Sequence, residues 1–134
     1  MAGELAGKTI LLVDDDRDIL TTMQVALVDL GPTILTANDG NEAIALAEQK
    51  SPDLVVLDQM LPKRSGFLVM EKLKRGKKRS DPPRVIMITG NLGSRHKVYA
   101  ESLGVDAYLN KPFRMEKLLD AVRKLLGVPE KAPN

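Results

Sequence analysis

The sequence predicts an α/β protein with a single doubly wound sheet of five parallel strands. Three observations carry this. KTILLVD (8–14), LVVLD (54–58) and RVIMIT (84–89) are nearly continuous apolar runs, as expected of strands buried on both faces. Segments with helical spacing separate the strands, so the two element types alternate. The 134 residues suit one domain, with no internal repeat.

The elements follow in order. KTILLVD (8–14) is the first strand. From Asp16 to Leu30, apolar residues at Ile19, Leu20, Met23, Ala26, Leu27 and Leu30 keep helical spacing, and Gly31-Pro32 stops the helix. TILTA (33–37) is a strand and NDG (38–40) a turn. An Ala-rich helix covers 41–50 and ends at Ser51-Pro52. LVVLD (54–58) is a strand closed by an acid, and a loop with Pro62 and Gly66 leads to a helix over 67–75. RVIMIT (84–89) is the next strand, followed by a helix over 95–103 that Gly104 terminates. DAYLN (106–110) is the last strand and Met115 to Leu126 the last helix. Residues 1–7 read as an N-terminal extension, 8–126 as the domain and 127–134 as a C-terminal tail.

Composition narrows the function classes. Without cysteine there is no disulfide, thiolate catalysis or zinc–thiolate site. His96 is the sole histidine, so a metal site must use mainly oxygen ligands. The four aromatic residues leave little for base stacking. No apolar run approaches the ~20 residues of a membrane span, and MAGELAGK lacks the apolar core of a signal peptide. The expected location is cytoplasmic. The net charge of +2 is uneven: KLKRGKKR (72–79) holds six of the 20 basic residues and no acid. A nucleic-acid surface would draw on this run. The plainer reading is a solvated helix end and exposed loop, since cations late in a helix suit its dipole.

In a parallel sheet all carboxyl ends lie on one edge, and ligands bind there. The first strand ends at Asp14-Asp15, the 54–58 strand at Asp58, the 84–89 strand at Thr89, and the last runs into Lys111-Pro112. Three carboxylates, a hydroxyl and an ammonium therefore face a common cleft. Singly, each has an ordinary role: a helix cap or turn opener for an aspartate, a strand end for Thr89, a surface lysine for Lys111. Their convergence is what needs explaining. Clustered carboxylates call for a cation, and a hard divalent ion such as Mg²⁺ takes one or two carboxylates plus phosphate oxygens. An aspartate beside such an ion and a lysine is a plausible nucleophile toward a phosphoryl group, because the remaining chemistry is neutralisation of charge on the equatorial oxygens. Asp16 is left as a helix-start residue with no direct chemical role.

LVDDD (12–16), DLVVLDQMLPKRSG (53–66), VIMITG (85–90) and YLNKPF (108–113) stand in the order and spacing of one family. Over nearly its whole length, about residues 7 to 126, the sequence resembles the receiver (CheY-like) domain of two-component response regulators. The resemblance implies a flavodoxin-like (βα)5 fold with strand order 2-1-3-4-5. It aligns Asp58 with the phosphoacceptor, which takes a phosphoryl group from a histidine kinase or histidine phosphotransfer protein. Asp14 and Asp15 align with the acidic pair that holds Mg²⁺, Asp15 the more direct ligand, with Asp58 and the backbone carbonyl of Met60 completing the set. Thr89 aligns with the switch hydroxyl, Tyr108 with the aromatic that turns inward, and Lys111 with the lysine that pairs with phosphoryl oxygens. The Lys111–Pro112 bond is usually cis in the family. Met60 and Asn91 occupy positions that influence how long the phosphoryl group survives. Ser65, Pro32 and the long SDPPR loop depart from the usual pattern without touching the chemical residues.

The implied function is that of a phosphoacceptor signalling domain, not an enzyme with an outside substrate. It would assist its own phosphorylation and dephosphorylation and signal through protein–protein contacts to a downstream protein target. A phosphorylation-dependent dimer is compatible with this; a membrane or direct nucleic-acid partner is not expected. A flavin or nucleotide carrier would share the architecture, but no phosphate-cradling glycine motif follows the first strand. A haloacid-dehalogenase-type phosphatase would want an Asp where Met60 stands.

Overall fold

The computed structural model describes residues 3–90 and 94–127. The expectations placed on Asn91 and on most of the C-terminal tail lie outside the described residues. Five strands, β1 (Thr9–Val13), β2 (Thr33–Ala37), β3 (Leu54–Asp58), β4 (Arg84–Thr89) and β5 (Ala107–Asn110), alternate with five helices. These are α1 (Arg17–Val28), α2 (Gly40–Lys50), α3 (Gly66–Lys74), α4 (Ser94–Ser102) and α5 (Met115–Leu125). The strands form one parallel sheet in the order β2-β1-β3-β4-β5. From β1 the chain passes to β2 on one side, while β3 pairs on the other. The cleft at that reversal opens between the carboxyl ends of β1 and β3.

Strand side chains alternate between two apolar layers because their period is two. Leu11, Val13, Val55, Leu57, Val85 and Met87 pack with Ile44, Val69, Met70 and Ala100 of α2, α3 and α4. Ile10, Leu12, Leu54, Val56, Ile86 and Ile88 pack with Leu20, Met23 and Leu27 of α1 and Leu118 and Val122 of α5. Both faces of the central strands are thus covered, which accounts for their apolar runs. Edge strand β2 is less buried and carries threonines.

Helix α1 is shorter than the apolar spacing predicts. Asp16 stands outside it as the N-cap, its Oδ1 accepting from the backbone N–H of Asp18 at 2.9 Å and Ile19 at 3.4 Å. At the other end Leu30 N and Gly31 N donate to Leu27 O and Val28 O, and Gly31, at φ 85°, turns the chain. Asp39 and Ser65 cap α2 and α3 in the same manner as Asp16.

Two segments are more integrated than their composition suggests. In the N-terminal extension Leu5 is fully buried, its N–H donating to Leu30 O at 2.8 Å. In the basic run, the expectation of a solvated helix end fails at Lys74. This side chain is buried, and its ammonium donates to the carbonyls of Arg79 (2.9 Å) and Asp81 (2.6 Å). Burial pushes its pKa below the usual lysine value, while the nearby Asp106 carboxylate opposes that shift. Arg79 donates to Val105 O at 2.9 Å, and Arg84 pairs with Asp106 at 3.0 Å. Lys74 therefore fastens the α3–β4 loop to the end of α3, and Arg79 and Arg84 tie the loop and the start of β4 to the residues before β5, while Lys72, Arg75, Lys77 and Lys78 remain exposed. Among the described residues no helix is long and apolar enough to cross a membrane.

Candidate functional site

Register sets the site. Leu57 of β3 lies beside Val13 of β1, and Asp58 beside Ile88 of β4. Asp14, Asp58 and Thr89 thus emerge side by side at one edge, and Lys111 follows β5. Asp14 and Thr89 are fully buried and Asp58 nearly so, while Asp15 is exposed. The five residues that the sequence placed at strand ends are brought together.

Each charged group is held by its neighbours. Asp14 Oδ1 accepts from Asp16 N at 2.9 Å. Its Oδ2 lies 3.0 Å from the Lys111 ammonium but has no hydrogen bond of good geometry. Asp58 Oδ1 accepts from Met60 N at 3.2 Å, and its Oδ2 lies 3.5 Å from the same ammonium. Lys111 N donates to Thr89 O at 2.7 Å, which fixes the start of the lysine side chain against β4. The Lys111–Pro112 bond is cis.

Burial, and then the charge of Asp14, push the Asp58 carboxyl up from 3.8 to about 6, with Lys111 opposing. For Lys111, burial alone would lower the ammonium, but its close pairing with Asp14 and the charges of Asp58 and Asp14 outweigh it and raise its pKa. Burial likewise raises the Tyr108 phenol, partly offset by the Thr89 side chain. The Tyr108 hydroxyl is buried, so this aromatic stands inward, toward Thr89.

The loop after Asp58 depends on close packing. A Cβ at Gly66 would meet Asp58 O at 2.5 Å and Gln59 Cα at 2.7 Å, so only glycine lets α3 begin against the end of β3. Gly40 N donates to Pro62 O at 3.3 Å, and Lys63 pairs with Asp39 at 3.5 Å. These contacts seat the 59–66 loop on the start of α2.

Asp14, Asp15 and Asp58 each offer a carboxylate oxygen within 4.8 Å of the others. Three carboxylates against the single ammonium of Lys111 leave a charge of about −2 when all are ionised, which a divalent cation balances. Asp14 Oδ2, buried without a directional donor, is the oxygen with most to gain. The donor set, all oxygen, suits a hard cation.

Sequence reasoning passed over Gln59 and His96. Gln59 is buried, and its Nε2 lies 3.1 Å from His96 Nδ1 on α4. His96 in turn lies parallel to Phe67 of α3, with centroids 6.1 Å apart. Two polar residues 37 positions apart leave no local pattern, so nothing in the sequence marks them as partners.

The sequence pattern of the response regulator receiver domain matches residues 10–123. The chain is 40% identical over 124 residues to the DNA-binding dual master transcriptional regulator RpaA of Synechocystis sp., covering 92% of this chain and 51% of that protein. It is 39% identical over 119 residues to the alkaline phosphatase synthesis transcriptional regulatory protein PhoP of Bacillus subtilis, covering 89% and 48%. The chain thus spans about half the length of these curated relatives. Among solved structures, a CheY-like receiver domain protein of Methanospirillum hungatei superposes with a TM-score of 0.82 at 30% identity, covering 90% of this chain and 94% of the other.

Proposed function

The chain belongs to the response regulator receiver domain family, and on that premise we propose that Asp58 is its phosphoacceptor. A histidine kinase or histidine phosphotransfer protein would be the donor, which would place the reaction in the cytoplasm. One observation carries this reading: the Asp58 carboxylate is buried at the switch point of the sheet, beside Asp14, with the Lys111 ammonium 3.5 Å from one and 3.0 Å from the other.

In the transfer, an Asp58 carboxylate oxygen forms the new P–O bond as the P–N bond to the donor imidazole breaks. The imidazole leaves with the electron pair of that bond. Lys111, already placed by its backbone bond to Thr89, pairs with the phosphoryl oxygens. The Thr89 hydroxyl, on the neighbouring strand, is the second group to face them. Asp14, Asp15, Asp58 and the Met60 carbonyl would hold Mg²⁺, which when bound neutralises charge on the transferring group. Hydrolysis, in which a water oxygen bonds to phosphorus as the bond to the Asp58 oxygen breaks and the water proton passes to phosphate or solvent, returns the Asp58 carboxylate and free phosphate. The domain thereby promotes its own phosphorylation and dephosphorylation. The phosphoryl group then biases a two-state equilibrium in which Thr89 and Tyr108 respond. A downstream protein target reads the face built by α4, β5 and α5.

Incubation with a small phosphodonor and Mg²⁺, followed by intact mass measurement, tests this. The expected result is a gain of one phosphate that is absent in Asp58→Asn and suppressed by chelator. An unmodified wild-type chain would overturn the reading.

A further inference from the structure

Helix α4 is held by few side chains. Of those described in it, only His96 and Ala100 are not exposed, and Val98 and Tyr99 are 65% and 45% exposed. We infer that His96, acting through Gln59, is a positioning residue that couples helix α4 to the state of Asp58. This rests on the reading of Asp58 as phosphoacceptor.

Gln59 follows Asp58 directly and its backbone is clamped on both sides. Its N–H donates to Ile88 O at 2.8 Å, and its carbonyl accepts from Gly66 N at 2.9 Å. A shift of the Asp58 peptide therefore reaches the Gln59 side chain instead of being absorbed in the loop. That side chain is 4% exposed and its Nε2 lies 3.1 Å from His96 Nδ1. An amide nitrogen only donates, so the ring accepts at Nδ1 and carries its proton on Nε2. Gln59 Oε1 is buried without a hydrogen bond, which makes His96 the one polar partner of this amide among the described residues. Loss of that acceptor would leave the whole amide unpaired.

Two components hold His96. One is the directional bond to Gln59; the other is packing, with Phe67 parallel at 6.1 Å and Phe67 edge-on to Tyr99 at 4.9 Å. Any ring could supply the packing, but only an acceptor can answer Gln59. His96→Phe keeps the ring and removes the acceptor. His96→Asn places an amide oxygen near the position of Nδ1 and removes the ring.

The test is hydrogen exchange of α4 in the full chain with Mg²⁺, with and without a small phosphodonor, phosphate being counted by intact mass. Wild type and both variants should take up one phosphate, because the groups around Asp58 are untouched. The phosphorylation-dependent change in α4 exchange should fall about fivefold in His96→Phe, and His96→Asn should keep at least about half of it. Gln59→Leu should reproduce the His96→Phe result, and the double variant should lose nothing more. It also carries the test if His96→Phe does not fold. A wild-type response in His96→Phe, an equal loss in Asn and Phe, or no α4 response in wild type overturns the coupling. Absence of phosphate on wild type overturns the reading of Asp58 and the coupling with it.

Discussion

Asp58 holds its proton to about pH 6, unlike an ordinary carboxylate, because it is buried beside Asp14 and only one ammonium compensates the pair. The sign of the resulting pH dependence is opposite to that of a salt-bridged aspartate. In the unfolded chain Asp58 ionises near 3.8, and in the folded chain near 6. Across that window the native state binds a proton that the unfolded state lacks, so the contribution of Asp58 to stability falls as pH rises and stays low above it. Asp58→Asn removes the titration. In chelator, the melting temperature of Asp58→Asn relative to wild type should rise between about pH 4 and pH 6 and level off above. Saturating Mg²⁺ at pH 7 should narrow the gap, because the cation favours the ionised carboxylate. A gap that is the same at pH 4 and pH 7 would contradict the charge account. The three consecutive aspartates separate on the same reasoning: Asp14 is buried and faces Lys111, Asp15 completes the carboxylate cluster, and Asp16 caps α1.

At the scale of elements, the junction between β3 and α3 leaves no room for a side chain at Gly66. Alanine at Gly66 would add helix propensity worth up to about 1 kcal/mol. Its Cβ, however, would stand 2.5 Å from Asp58 O and 2.7 Å from Gln59 Cα, both backbone atoms that cannot move aside cheaply. Gly66→Ala should therefore lower stability by about 1–3 kcal/mol in urea unfolding and slow phosphate uptake, since Asp58 is the residue displaced. Unchanged stability would mean that the loop relaxes freely. This junction was legible in the sequence as an acid-ended apolar run followed by Pro62 and Gly66. So were the other strand ends, because a strand buried on both faces must be apolar until it reaches the edge, and a charge there marks where it stops. Lys74 was not legible. A lysine near the end of a helix normally snorkels to solvent, and its burial depends on carbonyls that the loop presents only after folding. The Gln59–His96 link was hidden for the same reason, since it spans two connections and obeys no period.

For the whole molecule, the apolar layer shared by α1 and α5 is closed by the segment before β1, at the edge of the sheet opposite the carboxylates. Leu5 belongs to the layer shared by α1 and α5. Gly3 lies so close to Leu30 O that a Cβ there would meet it at 2.2 Å, and Glu4 pairs with Arg123 of α5 at 2.8 Å. The segment before β1 thus closes the bottom of the domain and joins α1 to α5. Two interactions compete to explain that closure, and their magnitudes differ. A partly exposed ion pair such as Glu4–Arg123 contributes about 0–1 kcal/mol. Truncating a fully buried leucine costs about 2–5 kcal/mol, a large share of the roughly 5–15 kcal/mol that holds a domain folded. Leu5→Ala should accordingly shift the urea midpoint far more than Glu4→Ala. Phosphate uptake by the folded protein should stay near the wild-type rate in both, because neither residue reaches the carboxylate edge. Urea unfolding of the full chain, with phosphate uptake measured below the transition, checks both halves of the prediction. If Leu5→Ala costs less than about 1 kcal/mol, the segment is a surface strap and not part of the cooperative core.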